Sequence, residues 1–180
     1  MKHISYYLFD TSLGVCGIAW KGPEAKNSRP VVLFLQLPDT TRKLTEEKIA
    51  ESTGGQKADP PLSIIGIAER IRAHLNGKVQ DFSDIPVDLE AVGSFTRQVL
   101  AACRNIPAGR TMSYSELAQV IHRPKAARAV GQALARNPIP LIIPCHRVLT
   151  LAGRAGGFSA PGGVETKKRI LAKEGVTIKG

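Results

Sequence analysis

Cys145 and His146 are the adjacent side chains of this chain most suited to doing chemistry. They follow an apolar run, Ile139 to Ile143, and then Pro144, which stops regular structure. Such a run belongs in a core, so the thiol sits at the end of a buried segment. A free cysteine is only a few per cent thiolate near neutral pH. To react quickly it needs a base, a positive group or a helix N-terminus. The neighbouring imidazole is a candidate base. Two readings stay open on these residues alone: Cys145 is an activated nucleophile, or it is an inert core thiol, as most buried single cysteines are. Neighbours on extended backbone point to opposite faces, so a bend or a water must join the pair if the first reading holds.

The surroundings narrow the chemistry. The chain has 180 residues, 43% of them hydrophobic, and a net charge of +10. Residues 1–90 carry 11 Lys+Arg against 12 Asp+Glu, whereas residues 91–180 carry 14 against 3. The second half is a basic unit, which suggests a polyanionic partner for it; a generic basic surface is the blander alternative. Cys16, Cys103 and Cys145 form no CxxC and read as free thiols in a reducing compartment. No apolar run approaches the roughly 20 residues that span a membrane, and Met1 to Tyr7 shows no leader pattern. The expected location is cytoplasmic, or nuclear in a eukaryotic host.

The elements that must position the thiol can be read in order. Ile4–Phe9, Val15–Trp20 and Pro30–Leu37 are β-branched and aromatic runs split by turn residues, and read as strands of an antiparallel sheet. Thr40 to Lys57 reads as a weak helix followed by a loop. Ile64, Ile67, Ile71 and Leu75 recur at helical spacing, which predicts a helix over Leu62 to Leu75 stopped by Asn76-Gly77. Asp84 to Asp88 reads as a linker. The boundary divides a small α+β domain, 1–88, from a mainly helical domain, 89–180.

In the second half Phe95, Val99 and Cys103 predict a helix from about Val92 to Asn105, with Cys103 in the core. Ser113-Tyr114-Ser115-Glu116 is a capping box opening a short helix through about Ile121. After His122-Arg123-Pro124 a second helix runs from Lys125 to Arg136. Two short helices with a tight turn match a helix-turn-helix. Arg128, Gly131, Gln132 and Ala135 share one face of the second, a slim basic surface suited to a nucleic-acid groove or to tight helix packing. Five glycines between Gly153 and Gly163 make a loop, and Val164 to Lys173 a last helix with Lys167-Lys168-Arg169 on one turn. Glu174, at its end, either orients His146 or is plain solvated surface.

Several blocks in register resemble the alkylguanine-DNA alkyltransferase family, the methylated-DNA–protein-cysteine methyltransferases. They are Phe95 to Leu100, Ser113-Tyr114, Pro124 to Gly131, Asn137-Pro138, Pro144-Cys145-His146-Arg147-Val148, the Gly-rich loop and Glu174-Gly175. The resemblance covers about Phe95 to Gly175. It implies a minor-groove helix-turn-helix on double-stranded DNA, approached closely through Ala126, Ala127 and Gly131, with Thr96 also at the DNA. Arg128 would enter the base stack, and Tyr114 would crowd the adjacent phosphate so that the nucleotide turns outward. Leu134, Val148, Phe158 and Ser159 would line the pocket for O6-alkylguanine, with O4-alkylthymine a second candidate. Many relatives have tyrosine where Phe158 stands. Cys145 would take the alkyl group irreversibly, His146 would take the thiol proton through a water, Glu174 would hold the imidazole and Asn137 would brace the turn. The resemblance implies one turnover by a monomer with no cofactor; some relatives bind zinc in the first domain, but no matching Cys/His set stands here, so no metal is expected. Two rivals are a module that binds alkylated DNA without reacting and a cysteine hydrolase.

Overall fold

The structure, a computed structural model, describes residues 3–22 and 29–178. Met1 and Lys2, which begin the stretch read as carrying no leader, lie outside the described residues. The chain divides into two compact units, residues 1–80 with 84–88 and residues 81–83 with 89–180.

The first unit is a sheet in the order β3-β2-β1-β4. β1 (Ile4–Thr11), β2 (Gly14–Lys21) and β3 (Val31–Gln36) are antiparallel neighbours. β2 is central, and Cys16 to Trp20 are buried without a break, as a strand covered on both faces requires. α1 (Arg42–Thr53) lies close on one face. A side chain at Gly17 would meet Ile49 Cδ1 at 2.9 Å and Leu8 Cδ2 at 3.1 Å, so the bare glycine lets these side-chain tips pack close to the strand. Thr41 caps α1 by accepting from Leu44 N–H at 3.1 Å, and Gly54, at φ 61°, closes it in the left-handed region. α2 (Leu62–Leu75) packs against β1, burying Ile64, Ile67, Ile71 and Leu75, the stripe that predicts it.

Two sequence readings are corrected here. Gln56–Lys57 is not loop but β4, paired in parallel with β1. Residues 84–88 are not a free linker. Val32 N–H donates to Pro86 O at 2.9 Å, Asp88 N–H donates to Val32 O at 2.8 Å, and Asp88 is ion-paired to Lys21. Both pairings run through backbone groups, which polar and Pro-containing side chains do not advertise.

The second unit is mainly helical. α3 (Ser94–Arg104) buries Val99, Leu100 and Cys103 and packs against α4 (Tyr114–Val120) and α5 (Ala127–Ala135). The capping box forms as read: Ser113 Oγ accepts from Glu116 N–H at 3.1 Å and Ser113 N–H donates to Glu116 Oε2 at 2.6 Å. Past the end of α4, His122 turns the chain at a φ of 57°. Arg123 N–H then donates back to Ala118 O at 2.9 Å. Pro124 and Lys125 belong to the turn between the helices rather than to the second helix, which starts two residues later than its spacing suggests. Short strands β5 (Met112–Ser113) and β6 (Val148–Leu149) pair in parallel, and α6 (Gly163–Lys173) closes the unit. No helix among the described residues is long and apolar enough to cross a membrane.

Candidate active site

The thiol is presented by a tightly wound approach rather than by a strand. Ile143 N–H donates to Ile139 O at 2.9 Å and Cys145 N–H to Ile143 O at 2.8 Å. Leu141 sits at φ 72° with 1% of its surface exposed. The left-handed region costs a side-chain-bearing residue about 1–2 kcal/mol, which burial of the surrounding isoleucines offsets. Cys145–Arg147 then form one turn of 3-10 helix. This turn is the bend the Cys-His pair needs. Three consecutive side chains fan out instead of alternating.

Asn137, just past α5, ties the approach to the turn. Its Nδ2 donates to Ile143 O at 2.8 Å and to Cys145 Sγ at 3.2 Å, and its Oδ1 accepts from Ile139 N–H at 3.0 Å. Burial pushes the Cys145 thiol above the ordinary cysteine value; the Asn137 N–H and the Lys167 ammonium pull the other way without cancelling it. The resting sulfur is therefore a thiol that needs help to ionise.

Behind the turn lies a buried carboxylate. Glu174 Oε1 accepts from His146 Nε2 at 2.9 Å and from Arg147 Nη2 at 2.8 Å, and its Oε2 accepts from Arg147 Nε at 3.0 Å. Arg147 Nη1 also donates to Ile106 O at 2.6 Å. Glu174 is thus not solvated surface; its side chain and that of His146 are wholly buried. A two-pronged guanidinium keeps such a carboxylate charged inside the core. An ionised carboxylate only accepts, so His146 donates through Nε2 and its Nδ1 is the basic nitrogen.

In front of Cys145 opens a cavity of about 680 Å³. α5 supplies Ala127, Arg128, Gly131, Gln132, Leu134 and Ala135; the Gly-rich loop supplies Gly156, Gly157, Phe158 and Ser159; Tyr114 and Cys145 complete the wall. The shared face read on the second helix is the face that lines this cavity. Glycine at 156 makes room for Tyr114, because a side chain there would collide with the hydroxyl; one at Gly131 would only touch the ring, at 3.6 Å.

Not every expected residue is here. Val148 has no exposed surface and does not line the cavity; it is strand β6, and what it offers is its carbonyl, which accepts from Lys167 Nζ at 2.6 Å. Thr96 is buried on α3 and Ala126 precedes α5, both outside the cavity lining. The reading from sequence missed Arg147, Gly156 and Lys167. One signal was present: Lys167, Ile170, Leu171 and Glu174 recur at i, i+3, i+4 and i+7, the spacing of a buried stripe. Among the described residues no three His, Cys, Asp or Glu side chains gather as a metal ion would need.

Known proteins resemble this chain. The model of the 6-O-methylguanine DNA methyltransferase DNA-binding domain matches residues 94–176. A methylated-DNA–protein-cysteine methyltransferase of Mycolicibacterium paratuberculosis is 34% identical over 171 residues, 95% of this chain and 92% of that protein. One from Methanothermobacter thermautotrophicus is 41% identical over 123 residues, 68% of each. The crystal structure of Mycobacterium tuberculosis OGT in complex with DNA superposes with a TM-score of 0.73 at 30% identity, covering 95% of this chain and 93% of that one. With the thiol at a cavity wall, the helix pair beside it and a relative matched along nearly its whole length, this chain belongs to the O6-methylguanine DNA methyltransferase family.

Proposed function

We propose that this chain repairs DNA by direct reversal, moving the alkyl group from O6 of guanine to the sulfur of Cys145. The observation that carries the reading is the cavity itself. It places a thiol held by Asn137 on one wall and the exposed Arg128 face of α5 on another. A helix that meets DNA and a nucleophile that meets a base share one opening, and a base reaches such a site only by leaving the stack.

The roles follow. Arg128 occupies the gap the base vacates, and Tyr114 crowds the phosphate beside it. Ala126, Ala127 and Gly131 let the backbone of the groove come close. Leu134, Phe158 and Ser159 receive the swung-out guanine. His146 Nδ1 takes the thiol proton through a water, and Glu174, kept anionic by Arg147, stabilises the imidazolium that results. The sulfur forms a bond to the alkyl carbon while the carbon–O6 bond breaks; its electron pair passes to guanine, which recovers a proton. The thioether left on Cys145 has no good leaving group, so each copy acts once. The partner is duplex DNA carrying alkylated guanine, met by a single copy of the chain.

Intact mass spectrometry after mixing with an oligonucleotide bearing O6-methylguanine tests this. The expected result is a permanent gain of one CH2, mapped to Cys145. Binding without a mass change would mean a recognition module instead, and turnover of an ester or amide would mean a hydrolase.

A further inference from the structure

Lys167 has no exposed surface. Its ammonium donates to Val148 O at 2.6 Å and lies over one face of the Tyr114 ring, 5.9 Å from its centre. Among the described residues it forms no ion pair, and the buried carboxylate of this unit, Glu174, is taken by His146 and Arg147. An ammonium is strongly hydrated, and burying one on a carbonyl and an aromatic face is expensive. A methionine there would pack as well and spare the desolvation. The Tyr114 ring from α4 faces it, and the sulfurs of Cys145 on the 3-10 turn and Cys103 on α3 act on its charge through space. Of the two thiols only Cys145 reaches the cavity and receives the Asn137 N–H.

We propose that Lys167 is a positioning residue for alkyl transfer: its ammonium, pinned on the Val148 carbonyl beneath the Tyr114 ring, is the fixed positive charge against which the Cys145 sulfur becomes anionic. It keeps its own protons throughout. The thiol proton leaves by way of His146, the sulfur bonds to the alkyl carbon, and guanine departs with the carbon–oxygen electron pair. Tyr114 covers the ammonium from the cavity, so its field is not screened by water and acts at low dielectric. The same desolvation lowers Lys167 to about 8, while the nearby sulfurs oppose that fall. A cation so placed is strained until an anion forms beside it.

The inference rests on Cys145 being the alkyl acceptor, and its test is separable from that reading. The rate at which iodoacetamide modifies Cys145, followed by peptide mass against pH and without DNA, reports thiolate formation directly. In Lys167→Met the pH midpoint is expected to rise by about one unit or more, and single-turnover methyl transfer at neutral pH to slow about tenfold, with oligonucleotide affinity unchanged. Lys167→Arg, which restores a cation, is expected to recover part of both. In the parent protein, lysine-selective NMR should show Lys167 losing its proton at lower pH once Cys145 is methylated, because the anion that favoured the ammonium can no longer form. A folded Met variant with the parent midpoint and rate, or a Lys167 titration indifferent to methylation, overturns the proposal. A Met variant that fails to fold makes the lysine structural and overturns it too. A methyl found on another residue would sink the transfer reading while leaving the iodoacetamide result to stand by itself.

Discussion

Cys16 and Cys145 are both buried thiols, but they keep different company. Cys16 lies mid-strand in β2, with Thr11 Oγ1 at 3.9 Å its recorded polar neighbour, and burial pushes it up to about 12. Cys145 is also pushed up by burial, but an amide N–H at 3.2 Å and a buried ammonium oppose the rise, and an imidazole follows it in the chain. The sheet unit surrounds its thiol with hydrocarbon, which stabilises a strand and leaves sulfur inert. The helical unit sets Asn137 against its thiol and buries His146, Arg147, Glu174 and Lys167 about the turn that carries it, four groups costly to bury. Buried polar groups, more than exposure, separate a reagent from a packing residue.

The comparison breaks most sharply on the thiols themselves. Cys145→Ala is expected to abolish methyl transfer while keeping oligonucleotide affinity, whereas Cys16→Ala should transfer at the parent rate. Intact mass and a binding titration check both, and loss of binding in Cys145→Ala would make that cysteine structural. The next effect is on stability. Arg147→Ala leaves Glu174 buried without its guanidinium and should cost about 3–5 kcal/mol in denaturant unfolding; Cys16→Ala, which removes one sulfur from an apolar site, should cost about 1 kcal/mol. Equal costs would show that the polar layer is no more demanding than the sheet core.

A smaller effect is expected at Gly156. The added methyl of Gly156→Ala would collide with the Tyr114 hydroxyl and lie 2.8 Å from Cε2 and 3.0 Å from Cζ. The ring must shift, and transfer should slow about tenfold, since misplacement by about an ångström is costly near reacting atoms. Parent-like kinetics would remove Tyr114 from the machinery. The smallest effect is a pH trend. Burial lowers Lys167 in the folded chain to about 8 from an ordinary 10.5. Between these values the unfolded chain holds more protons, so rising pH favours folding. The burial penalty is full below pH 8 and relieved toward 10.5. The melting temperature of Lys167→Met relative to the parent should therefore be highest below pH 8 and fall above it, the thiols common to both proteins largely cancelling. A flat difference would mean that burial leaves the lysine's hold on its proton unchanged between the folded and unfolded chains.

Where sequence reading succeeded, a local rule was enough. The apolar spacing of α2 and the reciprocal bonds of Ser113 and Glu116 each involve residues within a turn or two of one another. The cavity face of α5 follows from helical periodicity in the same way. Where it fell short, the partner lay far along the chain. β4 is two polar residues whose only strand signal is the backbone of β1. Residues 84–88 look like a linker until β3 bonds to them. Val148 looks like a pocket wall and is a buried carbonyl support.

The order of residue types along the chain determined that a thiol follows a buried run, that a histidine and an arginine come directly after it, and that a slim basic helix lies upstream. Tertiary structure decided which charges are internal. Arg147 and Lys167 are ordinarily surface residues, and it is packing among α6, the 3-10 turn and their neighbours that removes them from water. That removal cannot be read locally, because the free energy of a buried charge depends on which distant carbonyl, carboxylate or sulfur the fold brings to meet it.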